Sequence, residues 1–154
     1  MEGTRWRRLG WLTVLLILGV IGGDEGRREH RQRITGPRYQ SSAIGTLKAI
    51  ADAQTLFREG DRDENGTLDY APSLEVLARY DLIRPELADG LDGGYRFEVQ
   101  RSPTSPEFVW FATGSPDTPP GRGYVGLNMA GLTFFNRNGP VTFDADGSSQ
   151  DPVL

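Results

Sequence analysis

No cysteine occurs in the 154 residues, so disulfides, thiolate nucleophiles and thiolate-built zinc sites are excluded together. Histidine is almost as scarce. The only one, His30, stands in the charged run "DEGRREHRQR", which leaves neither a Ser-His-Asp site nor a multi-histidine metal centre to be built. Positive charge is sparse in the latter part: residues 61–154 carry seven Lys/Arg against fifteen Asp/Glu, a net −8, whereas residues 1–60 carry ten against six, a net +4. An acidic surface repels phosphate backbones and anionic lipid, so a nucleic-acid partner is not expected for that part.

What is present is the balance of a folded chain, 37% hydrophobic and 25% charged, with Gly 20 and Pro 10 calling for many loops. The length suits one domain of ordinary size beside a targeting segment. That segment is legible at the start. Arg5, Arg7 and Arg8 precede an uncharged run from Leu9 to Gly23, and Asp24 and Glu25 follow it, the layout of an export signal with its leading end left in the cytoplasm. Fifteen helical residues rise only about 22 Å, short of the roughly 30 Å of hydrocarbon in a bilayer. A cleaved signal and a short membrane anchor both remain open.

Three regions follow from this: residues 1–23 as signal or anchor, 24–40 as a polar linker broken by Gly36-Pro37, and 41–154 as the globular part. The globular part opens with "SSAIGTLKAIADAQTLFREG", where Ile44, Leu47, Ile50, Ala51, Gln54 and Phe57 recur every three to four residues. This predicts an amphipathic helix over 41–59, with Ser41 or Ser42 as cap and Gly60 as terminator. Ser73 can cap a short helix, "SLEVLARY", and Pro85 can start a further turn. The period then changes to two. Tyr95, Phe97 and Val99 alternate with Arg96, Glu98 and Gln100, as in a strand with one face buried. "EFVWFATG" reads as a central strand, "GYVGLNMAGLTFFNRN" as two strands joined near Met129-Ala130-Gly131, and "PVTFD" could add a short edge strand. Phe108, Trp110, Phe134 and Phe143 are the candidate sheet core. The fold class is therefore α+β, a long helix packed on an antiparallel sheet of about four strands.

Four stretches together resemble the type IV pilin-like proteins, the pseudopilins of type II secretion among them. They are the hydrophobic "GWLTVLLILGVIG", the helix "AIGTLKAIADAQTLFRE", the run "DRDENGTLDYAPSLEVLARYDLIRPELADGLDGGYRFEV" with its acidic loop, short helix and Gly-Tyr-x-Phe strand, and the late hairpin "GYVGLNMAGLTFFN". The likeness spans roughly residues 9 to 145. It implies processing between Gly10 and Trp11, a membrane-held or exported domain facing the periplasm or cell surface, and partners among other pilin-like subunits or secretion machinery. One departure has a physical consequence. A prepilin carries Glu at its fifth mature position, where this chain has Leu15. Without that carboxylate an ammonium buried in a filament has no counter-charge, so ordinary filament packing does not follow from the resemblance, and a cleaved or anchored relative that never polymerises is an alternative.

The acidic stretch "DRDENGTLDY" has a second reading. Asp61, Asp63, Asn65 and Asp69 fall at positions 1, 3, 5 and 9 of an EF-hand loop, with Gly66 at 6 and the Thr67 carbonyl at 7, a spacing that supplies oxygens to Ca2+. Position 12 is Pro72 rather than the bidentate Glu, and Glu75 is the nearest substitute. The plain alternative is a solvated Asx turn. A looser cluster, Asp144, Asp146, Gly147 and Asp151, offers a second candidate, and pseudopilins hold calcium in a loop near the chain's end. Function then divides between a non-enzymatic pilin-like subunit or accessory and a secreted, calcium-stabilised binding module on the same fold. A carboxylate hydrolase built on Asp61 and Asp63 is disfavoured, since a solvated loop has nothing apolar to separate their pKa values.

Overall fold

The helix expected from Ser41 is already formed at residue 40: in the computed structural model, which describes residues 40–118 and 122–154, α1 covers 40–59. Ser41 and Ser42 therefore lie within α1 and do not cap it. The export segment, Gly10, Trp11, His30 and the linker up to residue 39 lie outside the described residues. Among the described residues no helix is long and apolar enough to cross a membrane.

The other end of α1 closes one residue later than Gly60 suggests. Arg62 N–H donates to the Phe57 carbonyl and Asp61 N–H to that of Arg58, both at 3.2 Å. This pair of bonds requires a left-handed residue just past the helix, and Asp61 takes that conformation at φ 41. Aspartate tolerates it better than most side chains because it can bond locally.

Along α1, Ala43, Thr46, Leu47, Ile50, Ala53, Gln54 and Phe57 are buried, Leu47 at 0% and Phe57 at 1% exposure. The stripe is rotated slightly from the expected one: Ala43 turns inward, while Ile44 and Ala51 are only partly covered. It packs with Tyr95, Phe97, Val99, Trp110, Ala112, Val125 and Leu127 from the sheet in one hydrophobic core. Each large apolar side chain so buried contributes about 1.5–3 kcal/mol.

After α1, Ser73 caps α2 (Leu74–Arg79) by accepting the Val76 N–H, and Pro85 opens a 3-10 turn, Pro85–Leu87. Five antiparallel strands follow: β1 (Leu91–Asp92), β2 (Tyr95–Arg101), β3 (Trp110–Pro116), β4 (Tyr124–Asn128) and β5 (Thr133–Asn136). They lie side by side in chain order, with β3 in the middle as expected of "EFVWFATG". The count is five rather than four, and membership differs too. Leu91 and Asp92 form β1 by pairing with Arg96 and Tyr95 across Gly93 and Gly94, whose φ values of 57 and 77 are those a two-residue hairpin demands.

Phe108 does not join the core. It is 66% exposed, because residues 105–109 form a turn in which the Phe108 and Val109 N–H groups both donate to the Ser105 carbonyl, ahead of the strand's start at Trp110. Nor is "PVTFD" an edge strand. Residues 140–143 pass over the sheet's outer face, where Phe143 stacks on Phe111 with centroids 4.7 Å apart and meets Phe134 edge-on at 5.4 Å. Phe134 and Phe143 thus belong to a second apolar layer opposite α1. Gly126 makes room for it, since a Cβ there would lie 2.7 Å from Val141 and 2.9 Å from Phe143. The place beside β5 is taken by the last residues, where Phe135 N–H donates to Pro152 and Leu154 N–H to Thr133.

One polar clamp ties α1 to the β1 hairpin. The Thr46 hydroxyl donates to Asp92 at 2.6 Å, and Arg84 pairs with the same carboxylate oxygen at 2.9 Å. Partial burial pushes the Asp92 carboxyl up, but Thr46 and Arg84 together outweigh it and hold the group below its ordinary value. A carboxyl depressed on folding adds stability above its unfolded pKa of about 3.9 and loses it as pH falls through the folded value. Melting temperature should therefore drop on acidification below about pH 4. Asp92→Asn should flatten that slope in thermal melts from pH 6 to pH 3; an unchanged slope would remove the clamp from the account.

Candidate functional site

The connection from α1 to α2 holds the chain's densest group of hard oxygen donors, and its shape follows from the α1 terminus. Asp61, held left-handed by the helix end, turns its Oδ2 to accept the Gly66 N–H at 3.2 Å. Asn65 accepts the Thr67 N–H at 2.7 Å and donates to Asp63 Oδ2 at 2.8 Å. Gly66, at φ 79, and Glu64, at φ 54, provide the tight reversals between them. The sequence candidates Asp61, Asp63, Asn65, Gly66 and Thr67 thus belong to one curled loop.

Asp69 is held differently. It is buried, at 7% exposure, and its Oδ2 bonds Arg101, which also donates to the Tyr70 carbonyl at 2.8 Å. Arg101 stands 32 residues away in sequence at the end of β2. It supplies the charge balance that the loop's own residues lack, and no local spacing reveals it. Glu75 is fully exposed in the first turn of α2, where the Ser73 hydroxyl and then its own backbone N–H keep its carboxyl below the ordinary value. It serves the helix start rather than the loop.

Two oxygens stand out. Asp61 Oδ1 and Asp69 Oδ1 are buried and have no hydrogen-bond partner. A buried carboxylate oxygen without a donor costs free energy, and a cation would relieve it. The donor set, carboxylates with an amide and a backbone carbonyl, suits calcium in kind. Among the described residues, however, no three His, Asp or Glu side chains converge closely enough to hold a metal ion. Coordination would require Asn65 and the Thr67 carbonyl beside the carboxylates.

The later cluster behaves otherwise. Asp146 accepts the Ser148 N–H at 2.9 Å, a bond that lowers its pKa, and Asp144 accepts the Ser148 hydroxyl at 3.4 Å. Asp151 points elsewhere, accepting from Asn136 at 2.8 Å and from the Thr142 N–H at 3.1 Å. The Gly147 carbonyl accepts from the Asn128 side-chain amide at 3.0 Å. The chain's own donors occupy these carboxylates, and Asp151 fastens the outer layer to β5.

The sheet's outer face also carries a groove of about 410 Å³ between β2 and β3 and the crossing residues 140–143, with Arg96, Glu98 and Gln100 on one bank and Phe143 on the other. Compared with family models, with curated proteins and with solved structures, the chain finds no match.

Proposed function

We propose that this chain is a non-enzymatic, pilin-like subunit or accessory of a secretion or pilus-type assembly. Its N-terminal segment addresses it to the membrane, and its globular part is exported to the periplasm or cell surface. The observation that supports this reading is the packing of α1: one helix, entering from the N-terminal side, lays a continuous buried stripe along a meander of five strands in chain order. Such a part presents surfaces, and on the helix's other side Leu56 is half exposed. In-cell photo-crosslinking from position 56 tests it. A covalent adduct with another pilin-like subunit or a secretion component is the expected result; recovery of monomer alone counts against the reading. Mass spectrometry of the mature protein is the companion measurement, with a start at Trp11 expected for prepilin-type handling.

A second reading, a secreted calcium-stabilised binding module, is favoured by the two orphaned oxygens of Asp61 and Asp69. A ligand that binds only the folded form at a hundred times its Kd adds about 2.7 kcal/mol of stability. Millimolar Ca2+ should accordingly raise the melting temperature by several degrees, and Asp63→Ala should abolish the rise. No shift in the parent chain would dismiss calcium.

A further inference from the structure

β2 is seven residues long, but β1 accompanies it for only two. The last group satisfied on that side is the Phe97 N–H, which donates to the Gly90 carbonyl at 2.7 Å. The chain departs there because Gly90 sits at φ 81 so close to β2 that a Cβ would lie 2.5 Å from the Phe97 carbonyl oxygen. Backbone groups of successive strand residues point to opposite sides, so the direction of Phe97 fixes the rest. Arg96, Glu98 and Gln100 use theirs on β3, whereas Val99 and Arg101 turn theirs to the vacated side. Among the described residues no backbone group pairs with Val99 or Arg101 there.

A cleft of about 300 Å³ opens along this edge from Phe97 through Val99 to Gln100, short of Arg101, between the start of α2 and residues 88–90. Its rim carries the carboxylates of Glu75, Asp89 and Glu98 against the guanidinium of Arg96. An unpaired strand edge is a template for another strand, and charged side chains are one of the devices that guard it. The guard here is net negative, so it repels an acidic strand and admits one of opposite charge.

We propose that the open edge of β2 receives an extended basic segment of a partner protein, which adds to the sheet by main-chain pairing with Val99 and Arg101. Lys or Arg side chains on the outward face of the added strand meet Glu98 and the rim carboxylates, and small apolar residues alternate with them to face Leu74. Charge complementarity selects the partner, while the backbone bonds fix its register. The proposal gives a partner chemistry to the assembly reading but rests on the edge alone, so a chain that captures no machinery partner leaves it standing.

The test titrates the 15N-labelled full chain, in detergent, with the peptide acetyl-Lys-Val-Lys-Val-Lys-amide. Two comparison peptides accompany it, one with Glu in place of Lys and one N-methylated at both valines. The expected result is that the Val99 and Arg101 amide signals move, and that their hydrogen exchange slows at least tenfold at saturation. The Glu and N-methyl peptides should bind at least tenfold more weakly. Glu75→Lys with Glu98→Lys, both at exposed positions, should weaken the Lys peptide by a similar factor. Equal binding of the N-methyl peptide, shifts confined to other residues, or no shift at millimolar peptide would each overturn the proposal.

Discussion

Gln54→Ala should cost about 3 kcal/mol or more, among the largest effects of any single polar substitution in this chain. Gln54 is at 0% exposure in the C-terminal half of α1, and both ends of its amide are engaged by one residue: it accepts the Ala71 N–H at 2.8 Å and donates to the Ala71 carbonyl at 3.0 Å. Ala71 is itself at 0% exposure. Truncation leaves two buried backbone groups unpaired, each costing about 1–3 kcal/mol, and removes side-chain volume from a packed site. For a domain of this size the melting temperature should fall by about 10 °C or more. Gln54→Glu separates the two bonds, because an ionised carboxylate accepts from Ala71 but cannot donate to it. Burial raises that carboxyl's pKa, so its stability should be greatest at low pH and decline as pH rises through the folded value. Thermal melts followed by circular dichroism at pH 5 and pH 7 measure both. A loss below about 1 kcal/mol for the alanine variant would mean that the loop does not depend on this pair.

The second large effect is expected at Phe57. Its side chain fills the C-terminal end of the α1 stripe at 1% exposure and meets Tyr80 edge-on, centroids 5.5 Å apart at 71°. Emptying that site by Phe57→Ala should cost about 3–5 kcal/mol, the aromatic pair accounting for about 0.5–1.5 kcal/mol of it. The adjacent Leu56 is half exposed, and Leu56→Ala should change stability by no more than about 0.5 kcal/mol. Urea unfolding of the two variants puts the helix orientation to the test: equal losses, or a larger loss at Leu56, would mean that α1 rests on its other face.

The same helix shows how far the sequence alone reaches. The recurrence of Leu47, Ile50, Gln54 and Phe57 identifies α1 and its buried side, because a single period of 3.6 has one inward face. Tyr95, Phe97 and Val99 do the same for β2, and Ser73 marks α2. β1 escapes notice for a physical reason, since two residues have no period to read. Its signal is the Gly93-Gly94 pair, a hairpin turn lying in front of a strand already recognised. Val141 and Phe143 alternate like strand residues, and alternation does not say whether the backbone between them finds a sheet partner; here it crosses a face instead. Phe108 belongs to an apolar run that starts inside a turn. At the acidic loop, Asp61, Asp63, Asn65 and Thr67 share one curled loop, as near neighbours in sequence, without three acidic side chains converging among the described residues. The claim of Arg101 on Asp69 depends on how the sheet brings residue 101 back to the loop, which spacing cannot encode.

Every ladder in the sheet joins strands that are neighbours along the chain. A polypeptide delivered N-terminus first can zip each hairpin as soon as its second strand arrives, with α1 already present as the surface on which the growing sheet collapses. No strand of this sheet has to wait for a distant one to pair beside it; what stays bare longer is the apolar stripe of α1, until β2 to β4 cover it, and the outer ring of Phe111, until Phe143 emerges.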